Sequence, residues 1–205
     1  MVFWESLGLY SSPVNERALE ELVKYLESRT KEQRPRSVLC YEKYPVPDAV
    51  ISARKQLMAQ VKENLHQKNR VDLHSNPWHQ GAQCGDSPVL VFCLHSSSLG
   101  TDVNQSLKEF SIADTSAIVL IVFHHVAPHA DVGNPTDSTL SLTRLGRVKL
   151  VLDMVFWESA GLYSSPVNEE ALEKLVKYLE SRAKEQGPRS GTCTVTTPYE
   201  YGNPY

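Results

Sequence analysis

Pro88-Val89-Leu90-Val91-Phe92-Cys93-Leu94-His95 runs directly into Ser96-Ser97-Ser98-Leu99-Gly100-Thr101-Asp102. An unbroken apolar run lacks the alternation of a half-exposed strand and must be covered on both faces, as a central parallel strand of an α/β sheet is. The hydroxyl-rich turn that follows is expected to open a helix near Thr101 or Asp102, with Val103, Leu107 and Phe110 turned inward. Two more runs repeat the pattern. Residues 117 to 123 form an apolar stretch that ends in His124-His125, and residues 148 to 157 form another that leads into a helix. Alternating strands and helices predict a mostly parallel sheet with helices on both faces, Rossmann-like or flavodoxin-like, wound by right-handed crossovers.

Upstream, Tyr44-Pro45-Val46-Pro47 reads as a connector, and residues 48 to 67 as a helix capped by Asp48 with Val50, Leu57, Val61 and Leu65 on one side. Residues 70 to 74 suggest a short strand and residues 76 to 86 a loop. Residues 127 to 143, rich in Pro, Asp, Asn, Ser and Thr, read as a long polar surface loop between the last two strands.

The chain also repeats itself. Residues 1 to 37 match residues 154 to 190 without a gap, differing only at Leu7/Ala160, Arg17/Glu170, Glu21/Lys174, Thr30/Ala183 and Arg34/Gly187. Each copy reads as an extended Val-Phe-Trp, a turn and a helix. In the second copy Asn168 is the expected N-cap, and Leu172, Leu175, Val176 and Leu179 form one stripe at i, i+3, i+4 and i+7. In the first, Asn15 is the cap and Leu19, Leu22, Val23 and Leu26 the stripe. A full strand, residues 147 to 153, precedes only the second copy. The expected organisation is therefore an orphaned or swapped duplicate at 1–37, a complete α/β domain at 38–190, and a tail at 191–205 without helix or strand pattern, expected to be disordered. A stripe on an amphipathic helix must be covered, so the duplicate is expected to pack on its own domain, to replace the second copy in a neighbouring molecule, or to stay poorly ordered.

Composition narrows the partners. Among 205 residues, 21 basic and 24 acidic side chains give a formal net charge of -3 and no basic patch for a phosphate backbone, so nucleic acid is not an expected partner. No apolar run approaches the roughly 20 residues that cross a bilayer. The Met1-Val2-Phe3-Trp4 start lacks the character of a secretory signal, so a cytoplasmic location is expected, and the Asn104-Gln105-Ser106 sequon is read as chance. Cys40, Cys84, Cys93 and Cys193 show no C-x-x-C spacing and are expected to be free thiols. Neither a metal site nor a cofactor is expected.

Open parallel sheets bind ligands beyond the carboxyl ends of their strands. That edge should carry His95 and the 96–102 turn, then His124 and His125, then Glu158 and Ser159. Ser96, Ser97, Ser98, Gly100 and Thr101 are candidates to hold a ligand through hydroxyls and helix-start amides, although the turn is neither G-x-G-x-x-G nor a P-loop. His124, His125, Glu158 and Asp102 are candidates for acid–base catalysis. His124 and His125, adjacent on a strand, should point to opposite faces.

Taken in order, a strand, Ser97-Ser98-Leu99-Gly100-Thr101-Asp102, a helix, a strand ending His124-His125, a polar loop and a strand ending Phe156-Trp157-Glu158 resemble a group of vertebrate intracellular proteins over residues 86 to 182. The resemblance implies a compact Rossmann-like module of the TIR-like and flavodoxin-like kind, and implies no activity. Two functional readings follow. The first is an intracellular interaction or signalling module that associates with a protein partner or with itself through the duplicated unit; the alternative is a small-molecule or nucleotide-binding enzyme, hydrolase-like or glycosidase-like, with its site at the strand ends. Without a complete catalytic motif, the interaction reading comes first.

Overall fold

The computed structural model describes residues 13–33, 36–82, 84–110, 117–128, 130, 133–139, 148–158 and 160–185. The chain divides into two compact units, residues 1–35 and 36–205. Within the first unit lies one helix, α1 (Pro13–Gln33). Its stripe residues Leu19, Leu22, Val23 and Leu26 are about half exposed or more.

The second unit is an α/β domain. Its elements are β1 (Arg36–Lys43), a 3-10 turn (Asp48–Val50), α2 (Ile51–Asn69), β2 (Val71–Trp78), β3 (Val89–His95), α3 (Leu99–Leu107), β4 (Ile118–His125), α4 (Thr136–Thr139), β5 (Val148–Trp157), β6 (Gly161–Leu162) and α5 (Pro166–Glu185). The sheet order is β2-β1-β3-β4-β5-β6. All pairings are parallel except that of the two-residue β6, which folds back on the end of β5. The order of the first five strands, 2-1-3-4-5, is that of flavodoxin-like domains.

Strand alternation sorts the core onto two faces. On one face Leu90, Phe92, Val119, Ile121, Leu152 and Met154 meet Leu57, Val61 and Leu65 of α2 and Leu175 and Leu179 of α5. Each large aliphatic side chain buried there contributes roughly 1.5–3 kcal/mol of transfer free energy. On the other face Val91, Cys93, Leu120 and Val122 pack with Val103 of α3, beside a Trp78–Phe110 stack with centroids 4.3 Å apart. Helices therefore cover both faces, as the two-sided hydrophobicity of β3 and β4 requires.

Several local expectations need correction. A strand that the sequence pattern did not mark, β1, lies between β2 and β3 and pairs with β2 along its whole length, from Arg36 opposite Val71 to Lys43 opposite Trp78. Its apolar segment is short and flanked by charges, so only its central position in the sheet makes it core. β2 runs past the expected short strand, through Pro77 to Trp78. As an edge strand with one neighbour it tolerates proline. Asp48 makes no capping bond, because a 3-10 turn precedes α2. α3 starts at Leu99, two residues early, and places Asp102 in its first turn. The stretch read as polar loop contains the short α4 and a fully buried Thr136.

Asn168 is not an N-cap. α5 begins at Pro166, and the Ser165 hydroxyl accepts the Asn168 N–H at 3.2 Å. The Asn168 side chain, 7% exposed, turns to the free edge of β5: its Oδ1 accepts the Val155 N–H at 2.8 Å, and its Nδ2 donates to the Val155 and Tyr163 carbonyls at 2.9 and 2.8 Å. It serves as a one-residue substitute for a neighbouring strand, satisfying backbone groups that burial would otherwise leave orphaned. At the β5–β6 turn, Gly161 adopts a left-handed φ of +65°, where a Cβ would run into the Gln56 amide. Gln56 needs that space, since its Oε1 accepts the Leu162 N–H at 2.7 Å and ties the hairpin to α2.

Candidate functional site

Parallel β3, β4 and β5 end at one rim. His95 is in register with His124, and His124 with Val155. Alternation along β5 then puts Asp153 on the same face as Val155, so His95, His124 and Asp153 all look toward the α3 side. There they form a chain. His95 Nδ1 lies 3.1 Å from His124 Nδ1, and His124 Nε2 lies 2.7 Å from Asp153 Oδ1. Asp153 Oδ2 accepts the Thr136 N–H at 3.0 Å, and Oδ1 also accepts the Thr136 hydroxyl. His124 is 6% exposed and His95 half-buried, so the chain leads from the interior to the rim. Desolvation pushes the Asp153 carboxyl up, but the bonds from His124 and Thr136 outweigh it and hold it below the ordinary carboxylate value.

Asp102 organises the turn beside this chain. Its Oδ2 accepts the Ser96 and Ser97 amides at 2.9 and 3.0 Å, and its Oδ1 accepts the Ser97 hydroxyl at 2.9 Å. Partial desolvation raises its carboxyl, yet these bonds and nearby His95 bring it below the ordinary value. The Ser96 and Ser97 amides expected to face a ligand are thus bound to the protein's own carboxylate. Ser98 precedes α3 without a side-chain capping bond, and Gly100 and Thr101 lie in the first turn of that helix. Among the described residues there is no group of three or more His, Cys, Asp or Glu placed to hold a metal ion.

The two adjacent histidines part as alternation requires. His125, exposed on the opposite face, stacks on Trp157 with centroids 4.5 Å apart and planes 2° from parallel. Its Nε2 is 3.9 Å from Glu158, whose side chain is 82% exposed, a contact of little energetic weight. Asp102 and Glu158 do not form a pair, since β4 lies between their strands and each serves a different partner. Glu5, the copy of Glu158, lies outside the described residues, as do Ser159, His129, Asp131 and Cys193.

In this strand order a nucleotide's phosphates would lie where β1 and β3 diverge. That mouth is occupied by the protein's own charges. Glu42, 4% exposed, accepts the Arg54 Nε–H at 2.7 Å, and the Arg54 guanidinium lies over Tyr44 and Phe92. Lys43 pairs with Glu109 at 3.5 Å. The loop after β1 carries Pro45 and Pro47, which have no N–H to offer an anion. Cys40 and Cys93 are no nucleophiles at neutral pH: burial pushes the Cys40 thiol up to about 12 and that of Cys93 up to about 11.

Sequence reasoning missed Asp153, Thr136, Glu42 and the coupling of His95 to His124. Asp153 had a visible signal, a lone carboxylate inside an apolar strand, which burial makes costly unless it is bonded. Thr136, in a polar loop, had none.

No protein-family model and no curated protein matches this chain. Nothing there supports the vertebrate group. Among solved structures, a mutant flavo di-iron protein from Thermotoga maritima is similar over 80% of this chain and 40% of its own, at 12% identity and a TM-score of 0.33. The chain thus spans two fifths of that protein's length, and a likeness this distant carries no argument about cofactor or chemistry. What stands is the α/β sheet with its flavodoxin-like strand order. No helix among the described residues is long and apolar enough to cross a membrane.

Proposed function

We propose that the chain is a protein-interaction module that associates with a second copy of itself through α1. One observation supports this reading above the rest: Leu19, Leu22, Val23 and Leu26 are 60%, 53%, 48% and 52% exposed, whereas Leu175, Val176 and Leu179, the counterparts of the last three, are 0%, 8% and 0% exposed. The same apolar stripe is core in one copy and surface in the other. Exposed stripes of this length mark contact surfaces.

The pattern of α1 favours its own mirror as occupant. In an antiparallel pair centred between Leu22 and Val23, Leu19 comes opposite Leu26 and Leu22 opposite Val23 of the other copy. Covering four half-exposed aliphatic side chains on each copy gains roughly 1 kcal/mol apiece, consistent with a reversible contact after the cost of association.

Light scattering coupled to size-exclusion chromatography tests the reading. The unaltered chain is expected to elute with the mass of two copies, and the double variant Leu22→Glu, Leu26→Glu with the mass of one. A one-copy mass for the unaltered chain at every concentration tried would overturn the proposal.

A further inference from the structure

We propose that His95, His124 and Asp153 form a proton relay in which His95 Nε2, at the rim, takes a proton from water or from an uncharged hydroxyl-bearing substrate. This goes beyond the interaction reading and uses a different surface.

Bonding pattern assigns the hydrogens. A carboxylate only accepts, so His124 Nε2 carries the hydrogen that reaches Asp153. A neutral His124 then has a bare Nδ1, and that atom faces His95 Nδ1 at 3.1 Å, which must be the donor. His95 is thereby left with its lone pair on Nε2. The proton step balances without any oxidant or reductant. The substrate or water O–H bond breaks and an N–H bond forms at His95 Nε2, while the hydrogen on His95 Nδ1 moves to His124 Nδ1. His124 becomes an imidazolium paired with Asp153, and the reverse movement returns a proton to the product oxygen. Such an arrangement places the developing positive charge beside a half-buried carboxylate already held by three hydrogen bonds.

Stability does not explain the chain. A carboxylate–imidazole pair with its imidazole buried and its carboxylate half-buried is at best a weak stabiliser compared with apolar residues of the same size, and it interrupts an otherwise apolar layer of the sheet. The substrate class follows from the charges nearby. Asp102 on α3 is close enough to His95 for the imidazole to help hold its carboxyl below the ordinary value, and it consumes the Ser96 and Ser97 amides. With Asp153 one imidazole further in, two carboxylates flank the histidine pair, which disfavours phosphates and carboxylates and suits a neutral group. His95 is the catalytic residue of this proposal; His124 and Asp153 act through it and are positioning residues.

Two measurements on the whole chain decide the matter. Long-range nitrogen–proton NMR reads the tautomers: His95 is expected to carry its hydrogen on Nδ1 and His124 on Nε2, and a hydrogen on Nε2 of neutral His95 overturns the relay even if every variant fails to fold. Hydrolysis of p-nitrophenyl acetate, a neutral ester attacked by water, reads the reactivity. His95→Gln is expected to lower the rate at least tenfold, whereas His79→Gln, which removes an exposed imidazole outside the relay, leaves it unchanged. In folded Asp153→Asn the pH midpoint of the rate should move down, because the His124 imidazolium loses its counter-charge; His95 on one side, with Asp102 beyond it, and Thr136 on the other remain. Equal rates for His95→Gln and the unaltered chain, or an unmoved midpoint in folded Asp153→Asn, overturn the proposal.

Discussion

Leu175 and Leu22 are the same residue in the two copies of the duplicated helix, so truncating each in turn separates helix chemistry from tertiary burial. Leu175 is 0% exposed, in the layer between α5, α2 and the sheet, whereas Leu22 is 53% exposed. Leu175→Ala removes a fully buried branch and leaves a cavity that a close-packed layer only partly fills, at a cost of about 3–4 kcal/mol. Leu22→Ala changes helix propensity negligibly at a half-exposed position of the other compact unit, so the α/β domain should change by less than about 0.5 kcal/mol. Urea unfolding followed by the fluorescence of buried Trp78 is the assay, at concentrations low enough to suppress association. With a urea m-value of about 2 kcal/mol/M, Leu175→Ala should lower the midpoint by roughly 1.5–2 M and Leu22→Ala by no more than about 0.3 M. Equal shifts for the two variants would refute the reasoning, because they would mean that the helices share one environment.

Two other outcomes follow from the same structure. Asn168→Ala should destabilise the domain by about 2–4 kcal/mol in the same titration, since the Val155 N–H and C=O lose their partners inside the core; Asn168→Asp should be worse, because it sets a carboxylate against the Val155 and Tyr163 carbonyls. A cost below about 1 kcal/mol for both would show that water or a shifted backbone takes over. Stability in acid should depend on Asp153, whose carboxyl is held below its ordinary value of 3.8 in the fold. The unfolded chain then binds that proton first as pH falls, so the contribution is complete above the ordinary value and is lost as pH drops through the lower folded value. Unfolding curves for the unaltered chain and Asp153→Asn should therefore converge on acidification, and a difference that persists undiminished at the lowest pH would count against the bonding described for Asp153.

How much was legible varies with the reach of the interaction. β3, β4 and β5 were visible because burial on both faces leaves an unbroken apolar run, a property of the strand itself. β1 and the extension of β2 were not, since Val38 to Tyr41 is too short a run to declare itself and Pro77 argues locally against a strand. That His95, Asp102 and His124 lie near one another at the strand ends was legible, because chain direction alone brings parallel strand ends together. Which of those groups bond was hidden, since it depends on register between strands: only with His124 opposite Val155 does Asp153 fall within reach. The expected ligand turn looked open in sequence because nothing local shows that Asp102 folds back onto Ser96 and Ser97.

The duplicated helix draws the line most sharply. Its sequence alone determines a helix with one apolar stripe, and both copies form it. Two of the five differences even reverse a charge pair at i, i+4: Glu170 and Lys174 meet at 2.8 Å in α5, where α1 has Arg17 and Glu21. Whether the stripe becomes core is decided elsewhere, by the presence of a strand layer and α2 to receive it. Helix formation rests on spacing within a few turns, whereas burial rests on what the rest of the chain brings alongside, and nearly identical residues therefore end as interior in α5 and as surface in α1.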